Sequence, residues 1–230
     1  MSSDIWKIGQ ETNAQQMYEN VKTNGIQGGI FRVRGDVVAV QHLTAICNRM
    51  IEAYDDVLKD QNDYLVELET DAASFDELKE DISEKIKALY AEIEALSKKE
   101  KNGTITEEER KELEDKKGEL SVLMQDSDAK VNDQIAKTRE KSDKKTSEHK
   151  SKISIAKNYG EVTVEKGTPL AQTEVKTKSF WRSIFGGTNQ KKHDVGVKAV
   201  ETGKDLLDKV GESVEINNQI EKNSKNFKVK

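Results

Sequence analysis

Apolar residues recur at helical spacing through most of the chain. The longest run without a slip is Val40, Leu43, Cys47, Met50, Tyr54, Val57, Gln61, Tyr64 and Leu68. Steps of three and four make this a heptad seam. Ile46, Ile51, Leu58 and Leu65 widen it beyond what a two-stranded coiled coil requires, so more than one neighbour is expected to cover this half. The phase continues through Asp71, Phe75, Leu78, Ile82, Lys85, Leu89 and Leu96, with Ile86 and Ile93 beside it. Ser74 and Glu77 have the spacing of a capping box, yet the unbroken phase predicts one helix from about 37 to 101. Arg34-Gly35-Asp36 spells an adhesion tripeptide, but Asp36 stands where that helix needs an N-cap, and capping is the reading adopted.

Asn102-Gly103 then offers the left-handed backbone that ends a helix. Thr106 and Glu109 form a capping box for the next one, and Glu107 and Glu108 place negative charge on its positive end. Folding back across 102–105 pairs residues whose numbers sum to roughly 206. Ile93 should lie near Leu113, Ile86 near Leu120, Ile82 near Met124, Phe75 near Val131 and Asp71 near Ile135. Residues 36–157 are therefore expected to form an elongated antiparallel coiled-coil helical hairpin, and the fold class is mainly α.

The same register sets an acidic run, residues 52–84, against a basic run, residues 137–157. Exposed pairs are worth ~0 to 1 kcal/mol each, so they set register more than stability. Apolar surface does not match as well. Between Thr138 and Lys152 the returning helix has almost no large apolar residue, while the first helix presents Val40 to Tyr64 at that level. The carboxyl-terminal helix or a second copy of the chain should cover this stripe, which makes Val40, Leu43, Cys47, Met50, Tyr54, Val57 and Tyr64 the candidate protein interface. Near the turn, by contrast, the two arms are expected to satisfy each other.

The flanks are less regular. Residues 1–35 hold one short helix, marked by Ala14, Met17, Tyr18 and Val21, a stop at Asn24-Gly25, and a short extended stretch at Ile30–Val33. Residues 158–193 read as linker: the helix is expected to end around Asn158-Tyr159-Gly160, with weak alternation at Val162 and Val164. No acidic residue occurs from Val175 to Lys192, where Phe180, Trp181, Ile184 and Phe185 sit among Lys176, Lys178, Arg182, Lys191 and Lys192. This is a docking anchor or a contact with an anionic membrane surface. Residues 194–230 hold a third amphipathic helix built on Ala199, Gly203, Leu206, Val210, Val214 and Ile220, flanked by Leu207 and Ile216. Gly196, Gly203 and Gly211 would let it approach a neighbour closely. The tail from Asn223 is expected to be mobile.

Composition agrees with long helices burying narrow seams: 34 % of the 230 residues are hydrophobic, 35 % are charged and 5 % are aromatic. A net charge of −5 gives no reason to expect nucleic acid as a partner. One cysteine rules out an internal disulfide. The first residues lack the basic start and apolar core of a secretory signal, so the cytoplasm is the default compartment, with leaderless export open. His42, His149 and His193 belong to no metal motif, and Thr202-Gly203-Lys204-Asp205 lacks the Ser or Thr and the leading glycine of a phosphate loop. Cys47 falls on the seam, where a thiol behaves as a small hydrophobe. No catalytic, cofactor-binding or metal site is expected. The reading is a non-enzymatic coiled-coil structural or interaction protein, a rigid arm or subunit of a larger assembly such as a secretion apparatus, filament or virion-like particle. Its partners would be another protein or further copies of itself. The alternative is a peripheral membrane adaptor anchored through Phe180–Phe185.

Overall fold

The computed structural model describes residues 2–24, 35–175 and 180–227. Five helices follow in order: α1 (Ser2–Glu11), α2 (Ala14–Asn24), α3 (Gly35–Lys101), α4 (Glu107–Ala171) and α5 (Phe180–Asn226). No strand occurs among the described residues; the extended stretch expected at Ile30–Val33 lies outside them. The fold is mainly α, with α3 and α4 as the two arms of a helical hairpin and α5 as the additional carboxyl-terminal helix.

Local signals set the ends of the arms. α3 starts at Gly35, so Asp36 lies in its first turn rather than at the expected N-cap; its carboxylate accepts from the adjacent Val37 amide at 3.0 Å and places negative charge at the helix's positive end. At the other end Gly103 has φ +70°, and the Thr104 amide donates to the Lys99 carbonyl at 3.0 Å while the Gly103 amide donates to Glu100 at 3.1 Å. This pair of bonds satisfies two carbonyls that the helix end would otherwise leave unpaired. Thr106 and Glu109 then bond reciprocally, amide to carboxylate at 2.9 Å and amide to hydroxyl at 3.2 Å. Lys99 closes the turn with an ion pair to Glu109 at 2.6 Å.

The chain divides into two compact units, residues 1–63 with 145–219 and residues 64–144 with 220–230. In the first, α3, α4 and α5 form an up-down-up bundle. The Cys47 thiol reaches the Tyr159 carbonyl, and α4 carries Lys145 back to Asp60, so these helices are antiparallel. Asp55 meets Lys209 and Gln61 meets Ser213, so α5 runs parallel to α3. The short pair α1 and α2 closes one side. Asn13 caps α2 by accepting from Gln16 at 2.9 Å, Asn158 of α4 accepts from the Ala14 amide at 2.9 Å, and the Tyr159 hydroxyl donates to the Thr12 carbonyl at 2.7 Å.

Two differences from the sequence reading share one cause. The second arm does not end at Lys157 or Asn158; α4 continues to Ala171, and Val162 and Val164 are helical. Gly160 and Gly167 of α4 face Gly196 and Gly203 of α5, each pair one heptad apart. A Cβ at Gly203 would stand 2.9 Å from the Gly160 carbonyl oxygen, and one at Gly167 would stand 2.8 Å from the Ala199 Cβ. Gly160, which reads as a helix end, and Gly167 thus meet Gly196 and Gly203, which read as sites of close approach, and the two helices touch through their backbones. Packing outweighs a propensity cost of about 1 kcal/mol per glycine. Gly211 is different: nothing lies within 4 Å of its would-be side chain.

In the second unit α3 and α4 continue as a two-helix hairpin, joined only by the last turns of α5. Ile220, Ser224 and Phe227 are buried, and the Phe227 ring packs edge-on against Phe75 at 5.2 Å. Arg139 donates to the Phe227 carbonyl. The tail expected to be mobile from Asn223 is therefore helical to Asn226 and anchored by Phe227. Toward the turn the seam is Leu89, Leu96, Leu113 and Leu120, all buried.

Candidate interaction surface

Every residue of the expected protein interface is buried inside the chain's own first or second unit. Val40, Leu43, Cys47, Met50 and Tyr54 are 0 % exposed, Val57 2 % and Tyr64 3 %. Coverage is in cis. Trp6 of α1 packs edge-on against Tyr54 at 5.7 Å, Gly9 lies against Met50 and Ile155, and α5 supplies Leu206 and Val210. The stripe therefore offers no free surface in this state. Sequence reasoning missed α1 because Ile5, Trp6 and Gly9 make too short a pattern to compete with a loop.

Polar groups in the first unit pair across the helices rather than opening a site. Gln61 occupies the seam of α3, and its amide donates to the Ser213 carbonyl at 3.1 Å while the Ser213 hydroxyl donates back to the Gln61 oxygen at 2.8 Å. Ser213, not Val214, therefore takes the seam position of α5; Val214 is 37 % exposed. Asp60 receives Lys145 at 2.6 Å and the buried His149 ring at 2.9 Å. Burial pushes the Asp60 carboxyl up, but the hydrogen bonds and charges of Lys145 and His149 outweigh it and hold it below the usual carboxylate range. Lys141 pairs with Glu67 in the second unit. The acidic and basic runs do face each other, within a few residues of the expected register.

Burial pushes the Cys47 thiol up to about 11, and its contact with the Thr163 hydroxyl at 3.1 Å only partly offsets that. A thiol held protonated and out of solvent is a poor nucleophile. His42 is exposed, and no group of three metal-ligating side chains gathers among the described residues. Nor is any described helix long and apolar enough to cross a membrane. The side chains of Phe180, Trp181, Ile184 and Phe185 lie outside the described residues; their backbone belongs to the first turns of α5.

Open apolar surface is found in the second unit instead. Here Ile82 does not meet Met124 in a closed seam: Met124 is 46 % exposed and Ser127 takes the buried position. A small residue at a seam position leaves the flanking apolar side chains short of contact. The result is a groove of about 850 Å³ along one face of the hairpin, lined by Leu78, Ile82, Leu89, Val122 and Leu123. Val122 on its rim is 58 % exposed. A smaller groove of about 340 Å³ lies beside Phe227, against Leu68, Ala72 and Ile135.

Comparison with known proteins yields no match: no family model fits the chain, and no curated protein or solved structure resembles it significantly.

Proposed function

We propose that this chain is a non-enzymatic helical interaction protein, a structural arm or subunit of a larger assembly, whose contact surface is the hairpin of its second unit. The observation that supports this reading is the Leu78–Leu123 groove. The apolar stripe of the first unit is closed by α1, α4 and α5, whereas the hairpin between Phe75 and Ser127 keeps one apolar face in solvent. Exposed, contiguous apolar surface on an otherwise charged helical protein marks a contact with another macromolecule. Solvent-facing Glu and Lys elsewhere keep the rest of the hairpin soluble and indifferent.

A photoreactive residue replacing Val122 in the full chain, expressed in its source cell, tests the proposal. Protein adducts are expected at Val122 and not at the polar-face position Lys87. Equal labelling at both positions, or none at Val122, would overturn the reading.

A second reading, a peripheral membrane adaptor with the cytoplasm as its compartment, draws support from one feature. The α5 backbone is helical from Phe180, so the acid-free positions 180, 181, 184 and 185 follow the spacing of one helix face. Binding to vesicles containing anionic lipid should weaken with salt and be lost in Trp181→Ala. Absence of binding at low salt removes it.

A further inference from the structure

We infer that the short helices α1 and α2 are a displaceable cover over a second binding site, a helix-receiving face built by Met50, Tyr54, Ile155 and Tyr159 in the first unit. Its ligand is an amphipathic helix of a partner protein that repeats the pattern of α1: an aliphatic and an aromatic anchor side by side, with a small residue three positions after the aromatic. The inference is independent of the groove in the second unit.

The seat is shaped for one helix, and α1 shows how it is filled. Ile5 and Trp6 are buried, and the Trp6 ring stands edge-on to Tyr54 at 5.7 Å. One turn on, Gly9 passes so close to α4 that a Cβ there would stand 2.2 Å from Ile155 Cγ2 and 3.4 Å from Met50 Cε. Ile155 Cγ2 is carried on a branched Cβ, so it cannot swing aside as the end of a long side chain would. An aromatic anchor, an aliphatic neighbour and a place where only glycine fits are the features by which a groove selects one helix over others.

The attachment of the cover is slight for the surface it hides. At ten and eleven residues, α1 and α2 are each shorter than the ~12–15 residues an isolated helix needs in water, so they are helical because they are docked. The buried residues of α2 are Ala14 and Tyr18, with Lys166 of α4 over the Tyr18 ring at 5.4 Å. Hydrogen bonds to α4 fall at the elbow between the two helices, from the Ala14 amide to Asn158 and from the Tyr159 hydroxyl to the Thr12 carbonyl. The ion pairs Lys7–Glu11 and Lys22–Glu19 run within each helix and tie neither to the bundle. The seat, by contrast, belongs to helices of 67 and 65 residues that Asp60, Lys145 and His149 join without help from α1. A segment with few contacts beyond itself opens at lower free energy than the core beneath it, and it opens as a unit.

The test uses the full chain carrying Trp181→Phe, which leaves Trp6 as its single tryptophan, and a fluorescein-labelled peptide of residues 1–24 as the stand-in helix. In this parent chain the tethered cover competes at an effective concentration of about millimolar, so the peptide should bind weakly. Gly9→Ala raises the helix propensity of α1 but denies it the seat. The variant should keep the circular dichroism of the long helices, move Trp6 emission to that of a solvent-exposed ring, and bind the peptide about tenfold or more tighter than the parent, read by anisotropy. Peptide carrying Trp6→Ala should not bind. In the parent, amides of residues 4–24 should exchange together and faster than those of residues 40–64. Equal affinity for parent and variant overturns the inference, as does no binding to a variant whose Trp6 is exposed. Loss of the long helices in Gly9→Ala, or exchange of residues 4–24 only together with 40–64, overturns it by making α1 part of the core. If Trp6 emission stays unchanged in Gly9→Ala, the full chain with Trp6→Ala replaces it in the titration, and absence of binding there overturns the inference.

Discussion

Gln61 and Ser213 hold each other across the core of the first unit, each acting as donor and acceptor, with neither accessible to solvent. A glutamine in an apolar seam is costly when unpaired, so α5 is held in the one register that supplies Ser213 at that level. Gln61→Leu alone should cost about 1–3 kcal/mol, because it strands the Ser213 hydroxyl. Gln61→Leu with Ser213→Ala should recover most of that loss. A double-mutant cycle by urea unfolding measures the coupling.

The glycines separate into two classes by their surroundings. Gly203→Ala should destabilise the protein, since the new methyl would stand 2.7 Å from Val164 Cγ2 and 2.9 Å from the Gly160 oxygen, and backbone cannot step aside. Gly211→Ala and Gly118→Ala meet nothing within 4 Å and lie inside helices, so each should stabilise by up to about 1 kcal/mol. Thermal melts of the three variants give the sign directly.

Alkaline pH should weaken the fold. Cys47 is pushed from 9.0 to about 11, and Tyr54 and Tyr159 from 10.0 to about 12, all chiefly by burial. Between the ordinary and the raised values the unfolded chain has lost protons that the folded chain keeps. Stability is therefore fully present below pH 9 and falls as pH rises, by up to about 1.4 kcal/mol per pH unit for each group. Cys47→Ala should remove the part of the slope that begins near pH 9. In the native protein Cys47 should also resist thiol reagents until the chain is unfolded.

Trp6→Ala should release the amino-terminal pair. The ring is 7 % exposed and its partner Tyr54 is fully covered, so the loss is bounded by a large aromatic truncation, about 3–5 kcal/mol, and by what docking of α1 and α2 contributes. Hydrogen exchange should accelerate across residues 2–24 while the bundle of α3, α4 and α5 stays protected. Uniform acceleration over the first unit would mean that α1 is part of the core rather than a cover on it.

The hairpin was legible from residues alone because its signals are local. The heptad phase from Val40 to Leu96, the glycine at 103 and the Thr106–Glu109 box each act within a few residues, and the register follows from counting away from the turn. The acidic and basic runs follow the same count. What a local signal cannot carry is the number of neighbours a stripe has. Val40 to Tyr64 reads as a stripe for the carboxyl-terminal helix or a second copy to cover; α2 is legible from Ala14 to Val21, but the ten-residue α1 that also covers the stripe is too short to announce itself.

Glycine shows the same division. Gly160, Gly167, Gly196 and Gly203 all weaken a helix locally, and Gly196 and Gly203 also read as sites of close approach; that Gly160 and Gly167 are the glycines they meet appears only in the fold, where a missing Cβ admits the facing backbone. Which end of the hairpin stays open depends on such distances. Side-chain volumes along one helix predict a closed seam near the turn; the groove lies where Met124 faces solvent and the small Ser127 is the buried residue of α4. Period and capping chemistry belong to the chain order, whereas burial and free surface depend on what the other helices bring within contact.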